Sequence, residues 1–239
     1  MKLVIVGSTG FIGTELVRQA LSHPGITSIV GISRRETPIP PGSVDNKAKL
    51  KSVICNDFES YPSDVKREIE IANACIWTVP VAPAELNSIP WDETIKICGD
   101  YALTAIRTLA GVFRYRRENG PGPVRFIYIS DHFGPLNRSE SAKPLNSHGL
   151  TDLALLRGEV ETQILTIANK SNGAVVSCIA TPGVIVGPGG SLPAIPNLPK
   201  IELCDIAAAL LDQVANGFEK NTLSNEDMVR IGQSALRKQ

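Results

Sequence analysis

The feature that most constrains the fold is an amino-terminal apolar run that leads into three glycines at a fixed spacing. Residues 2–13 read KLVIVGSTGFIG, an apolar strand followed at once by the start of a helical pattern. The first glycine allows a tight turn, the second lets the backbone approach an anion, and the third lets the helix pack closely on its strand. Since a helix N-terminus attracts anions, we predict a dinucleotide pyrophosphate site formed by Gly7, Ser8, Thr9, Gly10, Phe11, Ile12 and Gly13. The alternative is a tight turn in an α/β domain that binds no ligand.

Composition narrows the class of protein. The 239 residues are 43% hydrophobic, enough for one large core, and we predict a single domain over residues 1–239. The formal net charge of +0 argues against nucleic acid or an anionic membrane as a partner. Three histidines without ligand spacing predict no metal site. Five scattered cysteines, with no leader-like or membrane-spanning run, predict a cytoplasmic protein: Cys55, Cys75, Cys98, Cys178 and Cys204.

Apolar strands alternate with helical stretches along the chain. The predicted strands are Leu3–Val6, Ser28–Ile32, Leu50–Cys55, Ala74–Val79, Val124–Ile129 and Ala174–Ala180, and the predicted helices include Phe11–Ser22, Trp91–Glu118 and Asp152–Asn169. This alternation predicts an α/β fold with a doubly wound parallel sheet of the Rossmann type and a ligand at the carboxyl edge of its strands. We expect residues 183–239 to form the substrate-side loop and closing helices, with the loops Pro135–Gly149 and Gly183–Pro199 bordering the substrate.

The end of the second strand predicts the choice of cofactor. Ser33, Arg34 and Arg35 stand where a protein that prefers NAD usually has an acidic residue for the ribose 2′-hydroxyl. A guanidinium pairs well with a phosphate, so these residues predict NADP. The alternative is a pair of solvated loop arginines. By topology, four further residues line the adenine and the nicotinamide ribose: Asp57, Phe58, Thr78 and Val79.

Several segments together resemble the atypical short-chain dehydrogenase/reductases, and within them the NmrA-like and Tat-interacting-protein-like NADP-binding group. They are Gly7–Gly13, Gly31–Arg35, Asp100–Tyr101, Arg157–Glu161 and Thr181–Val184. The resemblance implies a Rossmann-type NAD(P)-binding domain, with cofactor contacts at Pro182, Gly183 and Val184. It also implies a serine at the end of the fifth strand, which Ser130 matches, and a Tyr-x-x-x-Lys pair on the next helix.

The Tyr-x-x-x-Lys pair is missing, because the resemblance aligns Leu153 with the tyrosine and Arg157 with the lysine. Arg157 still offers a positive charge to the ribose, whereas a leucine cannot transfer a proton. Among the candidates to replace the tyrosine, His132 titrates near neutrality, and Asp131 or Ser130 would fix its geometry. The alternative is a loop histidine with no role. His148 is a further candidate from the segment before the helix.

Three functions fit these residues. The first is an NADPH-dependent oxidoreductase that acts on a small carbonyl, imine or enone. The second is a non-redox enzyme, such as an isomerase or cyclase, on a retained NADP-binding fold. The third is a regulatory protein that senses NADP(H). A small-molecule substrate is expected for the first two, and the resemblance also allows a homodimer through the long helix.

Overall fold

The computed structural model describes residues 1–43, 46–79, 81, 85–86, 88–111, 122–132, 149–188 and 198–238. At its centre lies a seven-stranded sheet in the order β3-β2-β1-β4-β5-β6-β9, with every neighbouring pair parallel. Its strands are β1 (Lys2–Val6), β2 (Ser28–Ser33), β3 (Leu50–Ile54), β4 (Ala74–Trp77), β5 (Val124–Ile129), β6 (Val175–Thr181) and β9 (Thr222–Ser224). The predicted doubly wound parallel sheet is thus confirmed.

Helices connect these strands. They are α1 (Phe11–Ser22), α2 (Ser63–Glu70), α3 (Trp91–Ile95), α4 (Tyr101–Gly111), α5 (Leu150–Lys170), α6 (Leu203–Asn216) and α7 (Asn225–Leu236). A π-helical turn, Lys96–Asp100, joins α3 to α4, and a short 3₁₀ helix, Lys47–Lys49, precedes β3. The long helix predicted from Trp91 is therefore interrupted by a π turn, and its residues 112–118 lie outside the described part of the chain.

Three short strands were not predicted from the sequence. One is β9, which extends the sheet beyond β6, and the others are β7 (Val184–Val186) and β8 (Lys200–Glu202), which pair with each other in parallel. Each is three residues long, too short to show an alternating pattern. The predicted loop Gly183–Pro199 therefore begins with a strand, while its residues 189–197 lie outside the described part of the chain.

The strands bury side chains on both faces of the sheet. Val4 and Val6 of β1 pack toward α2, α4 and α5, whereas Leu3 and Ile5 pack toward α1, α6 and α7. All four side chains are essentially fully buried. Complete burial of a branched aliphatic side chain contributes about 1.5–3 kcal/mol, so two such layers hold the sheet between its helices.

The strand order reverses beside β1. The chain proceeds from β1 to β2 and β3 on one side, then crosses over to β4 on the other. Connections leaving β1 and β4 therefore diverge at the carboxyl edge and open a crevice there, which is where ligands bind in open parallel sheets. The glycine-rich turn after β1 lies at this edge.

Candidate functional site

The first and third glycines of the turn are required by its backbone. Gly7 has a φ of +85°, and a Cβ on it would lie 2.5 Å from Thr78 Oγ1. A Cβ on Gly13 would lie 2.2 Å from the Gly7 carbonyl oxygen, closer than folded proteins tolerate. Thr78 donates a hydrogen bond of 2.8 Å to the Val6 carbonyl, which ties the end of β4 to the turn. Thr78 was predicted as a cofactor contact. In the structure its side chain is buried and supports the glycine turn from below.

Gly10 is different, because the packing of the protein does not demand it. Its φ is −80°, and among the described residues a Cβ there would meet only the Gly7 carbonyl oxygen, at 3.2 Å, a tight contact that a small shift relieves. Within the described chain, no side chain caps α1 and no acidic residue stands in its first turn. The first hydrogen bond inside the helix runs from Thr14 N to Gly10 O. The N–H groups of residues 11–13 therefore have no acceptor within the helix and point out of its N-terminus. A cradle of this kind fits the phosphates of a dinucleotide.

Ser8 supports the turn from inside. Its hydroxyl lies 2.6 Å from Thr37 Oγ1, and both side chains are buried. A Cβ on Gly31 would lie 2.7 Å from the same Thr37 oxygen, so the second strand needs a glycine there. Thr37, which the sequence reasoning missed, therefore links the turn to the chain that follows β2. Only the fold brings these residues together, so no sequence signal marks the pair.

The two arginines after β2 are exposed beside the turn. Arg35 Nη2 approaches the Thr9 carbonyl oxygen at 3.4 Å, which brings its guanidinium over the cradle. Ser33 is buried, and its hydroxyl donates to the Arg35 carbonyl oxygen. Ser33 therefore shapes the bend that presents Arg34 and Arg35, and the guanidinium groups form the charged surface at this end of the crevice.

The residues after β3 lie in a tight turn. The carboxylate of Asp57 accepts hydrogen bonds from the backbone N–H groups of Glu59, at 2.8 Å, and Ser60, at 3.2 Å. The Phe58 ring is 5% exposed and packs edge-on against Trp77, with 5.9 Å between ring centroids. The Phe58 side chain belongs to the core, because the turn points it inward, and a cofactor contact through the Phe58 backbone stays a prediction.

The segment after β6 packs against neighbouring strands. Gly183 N donates to Asn225 Oδ1 at 2.9 Å, and Val184 N donates to Pro199 O at 2.8 Å. A Cβ on Gly183 would lie 2.0 Å from the Pro199 carbonyl oxygen, so the packing explains this glycine without a ligand. Gly183 and Val184 thus help to join β6 to β8 and α7, and the cofactor contacts predicted at Pro182, Gly183 and Val184 stay a prediction.

Phe11 connects this segment to the cradle. Its ring is 48% exposed, and a Cβ on Gly187 would lie 2.8 Å from its Cζ. The chain after β7 therefore passes close to the start of α1, and the aromatic ring covers the space between them. Ile12, the next residue, packs into the core on the α6 side.

Ser130 directly follows β5 at the carboxyl edge of the sheet. Its hydroxyl donates a hydrogen bond to Glu161 Oε1 from α5. The Glu161 side chain is 5% exposed, and burial raises its pKa to about 7 against the opposing effect of the Ser130 hydrogen bond. The sequence reasoning named Ser130 but missed Glu161, although Glu161 follows Arg157 by four residues and so lies on the same helix face.

Asp131 pairs with Arg157 beside it. The Arg157 side chain is buried, and its guanidinium donates to the Asp131 carboxylate and, at 2.9 Å, to the Val81 carbonyl oxygen. The positive charge predicted to face the ribose is thus held by an aspartate of the protein itself. Leu153, one turn earlier, is buried in an apolar cluster with Val81 and Cys98.

His132 is exposed next to Asp131, and His148 lies outside the described residues. Tyr128 is buried in the core, and its hydroxyl donates to the Cys98 carbonyl at 2.9 Å. Among the described residues, no three metal-ligating side chains form a metal site, and no helix there is long and apolar enough to cross a bilayer.

A second cleft, of about 490 Å³, lies at the opposite edge of the sheet. Five of its lining residues are Met1, His23, Asn73, Arg125 and Asn216. Arg125 uses its guanidinium to bond the Val214 carbonyl at 2.9 Å, near the end of α6. Because ligands of parallel sheets bind at the carboxyl edge, we assign the functional site to the crevice and not to this cleft.

The chain matches no protein-family model. Solved structures nevertheless superpose on it over nearly its whole length. PbgP3 protein from Burkholderia pseudomallei aligns with a TM-score of 0.69 and 15% identity, over 96% of this chain and 82% of that one. The fold is of the Rossmann type. At this identity the likeness establishes the fold alone, and the atypical NmrA-like subtype remains a prediction.

Two further proteins are similar to the chain. DesIV from Streptomyces venezuelae, a dTDP-glucose 4,6-dehydratase solved with NAD and TYD bound, aligns with a TM-score of 0.66 and 16% identity, over 99% of this chain and 81% of that one. Leucinostatins biosynthesis cluster protein T from Purpureocillium lilacinum is 26% identical over 133 residues. That match covers 54% of this chain and 47% of the fungal protein, about half of the relative's length.

Proposed function

We propose that the chain binds NADP(H) and acts as an oxidoreductase of the short-chain dehydrogenase/reductase type on a small carbonyl, imine or enone. Gly10 carries the proposal, because it is the one glycine of the motif that the packing of the described residues does not require. Its position beside the open N-terminus of α1 is accounted for by a phosphate that passes close to the backbone. The NAD bound to DesIV supports the same use of the fold.

This chain's own residues would hold the cofactor in a defined way. The N–H groups of residues 11–13 would bind the pyrophosphate, and Arg34 and Arg35 would pair with a 2′-phosphate. When bound, the reduced dinucleotide supplies a hydride to the substrate. The protein then has to orient the substrate at the end of β5 and provide a proton there. The name of the fungal relative, which refers to a biosynthesis cluster, supports a small-molecule substrate.

We expect NADPH to bind about ten- to a hundredfold more tightly than NADH, since a charge-assisted hydrogen bond contributes about 1.5–3 kcal/mol. Arg35→Ala, and more fully Arg34→Ala with Arg35→Ala, should remove this preference while NADH affinity stays the same. The measurement is a fluorescence or calorimetric titration with both dinucleotides. Arg237→Ala, an exposed arginine at the end of α7, is the matched control.

Equal affinity of the parent for the two dinucleotides would contradict the assignment of NADP. The redox reaction is tested next, by following the loss of NADPH absorbance with hexanal, cyclohexanone and cyclohexenone. Consumption of a carbonyl without oxidation of NADPH would instead favour a non-redox enzyme on the same fold.

A further inference from the structure

Two side-chain pairs connect the end of β5 to one face of α5. Ser130 bonds Glu161, and the next residue along the chain, Asp131, bonds Arg157. Glu161 and Arg157 are four residues apart and both buried, so the pairs stack one helical turn apart. Leu153, a further turn toward the start of the helix, has no group that can carry a proton.

We propose that Ser130 and Glu161 form a proton relay, in which Glu161 stores the proton and the Ser130 hydroxyl delivers it to the substrate oxygen. The inference rests on the proposed function, because it supplies the proton that carbonyl reduction requires. Glu161 acts through Ser130 and is a positioning and storage residue, whereas Ser130 is the catalytic residue.

The geometry favours this pair over its neighbours. Arg157 cannot serve as the acid, since a guanidinium does not lose its proton in proteins. Tyr128 is fully buried and donates to the Cys98 carbonyl, so its proton is held inside the core. Ser130 is the link between the interior and the open edge, because its backbone continues β5 to the crevice and its hydroxyl turns inward to Glu161.

The surroundings keep a proton on Glu161 near neutral pH. Burial raises its pKa to about 7 and the adjacent Asp131 carboxylate acts in the same direction, while the hydrogen bond from Ser130 and the charge of Arg157 lower it. The titratable groups that act on Glu161 include Tyr128 from β5, Asp131 from the segment just after it and Arg157 from its own helix. Because Arg157 is paired with Asp131, its charge is largely balanced locally and does not force Glu161 to ionise.

The relay balances in protons and electrons. As the carbonyl carbon accepts a hydride from a reduced nicotinamide dinucleotide, the electron pair of the C=O bond moves to oxygen. For the transfer, the protonated Glu161 carboxyl donates to Ser130 Oγ, and the Ser130 hydroxyl turns its own proton away from Glu161 Oε1, its acceptor in the structure, toward the substrate. The substrate oxygen then takes the proton of the Ser130 hydroxyl, and Ser130 Oγ takes the proton of the Glu161 carboxyl. Glu161 is left as a carboxylate and recovers its proton from water through Ser130 after the product leaves. The dinucleotide ends oxidised by two electrons and the substrate ends as an alcohol.

The test begins with the protein free of cofactor. Infrared difference spectra between pH 5 and pH 9 should show a protonated carboxyl band that disappears near pH 7 and is absent from Glu161→Gln. Glu68→Gln is the matched control. Glu68 is also buried, but Lys2 and Lys51 hold its pKa below the ordinary value, so this variant should keep the band.

Turnover gives the second readout. Using the carbonyl that the parent reduces fastest, we expect Ser130→Ala and Glu161→Gln to lower kcat by roughly 10²–10⁴-fold, the usual contribution of a positioned acid. NADPH affinity should be unchanged in both variants. The parent rate should fall as the pH rises through 7, and the residual rate of Glu161→Gln should not.

The outcomes separate the relay from the function on which it rests. If the parent binds no NADPH or reduces no carbonyl of the panel, the proposed function and the relay are both wrong. If the parent is active and Glu161→Gln keeps its rate and pH profile, or if the band of the parent already disappears near pH 5, the relay alone is wrong.

Discussion

Gly10→Ala is expected to weaken NADPH binding by at least a hundredfold while the protein stays folded. The new methyl group meets one atom of the described residues, the Gly7 carbonyl oxygen at 3.2 Å. It would otherwise occupy the side from which, under the proposed function, a phosphate approaches. A hundredfold loss corresponds to about 2.7 kcal/mol of binding free energy. An alanine at a helix N-cap costs about 1 kcal/mol of stability at most relative to glycine. Calorimetric titration and thermal denaturation of the same variant measure the two effects separately.

Gly13→Ala provides the contrast. Its methyl group would lie 2.2 Å from the Gly7 carbonyl oxygen and 2.8 Å from the Ser8 Cα, and neither backbone atom can move without opening the turn. Both the melting temperature and the NADPH affinity should therefore fall. Gly111→Ala is the control, because a Cβ there meets no described atom within 4 Å and alanine favours a helix. NADPH affinity in Gly10→Ala equal to that of the parent would mean that no dinucleotide crosses the cradle.

Arg157→Leu is expected to lower the free energy of unfolding by about 3 kcal/mol, the low end of the cost of breaking a buried ion pair. The substitution leaves the Asp131 carboxylate and the Val81 carbonyl without the guanidinium that now bonds both. Asp131 is partly exposed, which limits the loss. For a chain of this length the melting temperature should drop by about 6–12 °C.

Arg230→Leu is the control for this prediction. Arg230 pairs with Glu219 and Asp227 on the surface, where an ion pair adds little stability, so the same change of residue type should have a small effect. Urea denaturation of both variants at one pH makes the comparison. Equal stabilities would show that the charge of Arg157 is not needed for the fold and remains available to a ligand.

The fold could be predicted because its signals are local. The strand, glycine turn and helix at the amino terminus stand in one continuous segment, and the β-branched strands are buried on both faces. The three-residue strands β7, β8 and β9 could not be predicted, because they form by pairing with strands distant in sequence and carry no pattern of their own.

The site was predicted less completely than the fold, because side-chain partners come from distant parts of the chain. Ser8 was expected to contact a ligand, but its hydroxyl meets Thr37, which lies 29 residues later. Ser130 was paired with His132 by adjacency in sequence, whereas the packing of α5 on the sheet gives it Glu161 as a partner. The spacing of four residues from Arg157 could have placed Glu161 on the same helix face, but not named the polar group that it meets there.

The π-helical turn Lys96–Asp100 separates α3 from α4, so the side chains of the two helices follow different rotational phases about the common axis. The π turn holds one residue more than a regular α-helical turn, and this extra residue rotates the side-chain positions on one side of it by about 100° relative to the other. The part from Ala102 to Leu109 stays registered with the core, while α3, nearest the carboxyl edge, is rotated with respect to that register. Removal of one residue within the turn would therefore re-aim the side chains of α3 and leave the buried part in place. In this fold a change of one residue in length is enough to redesign the rim of the crevice.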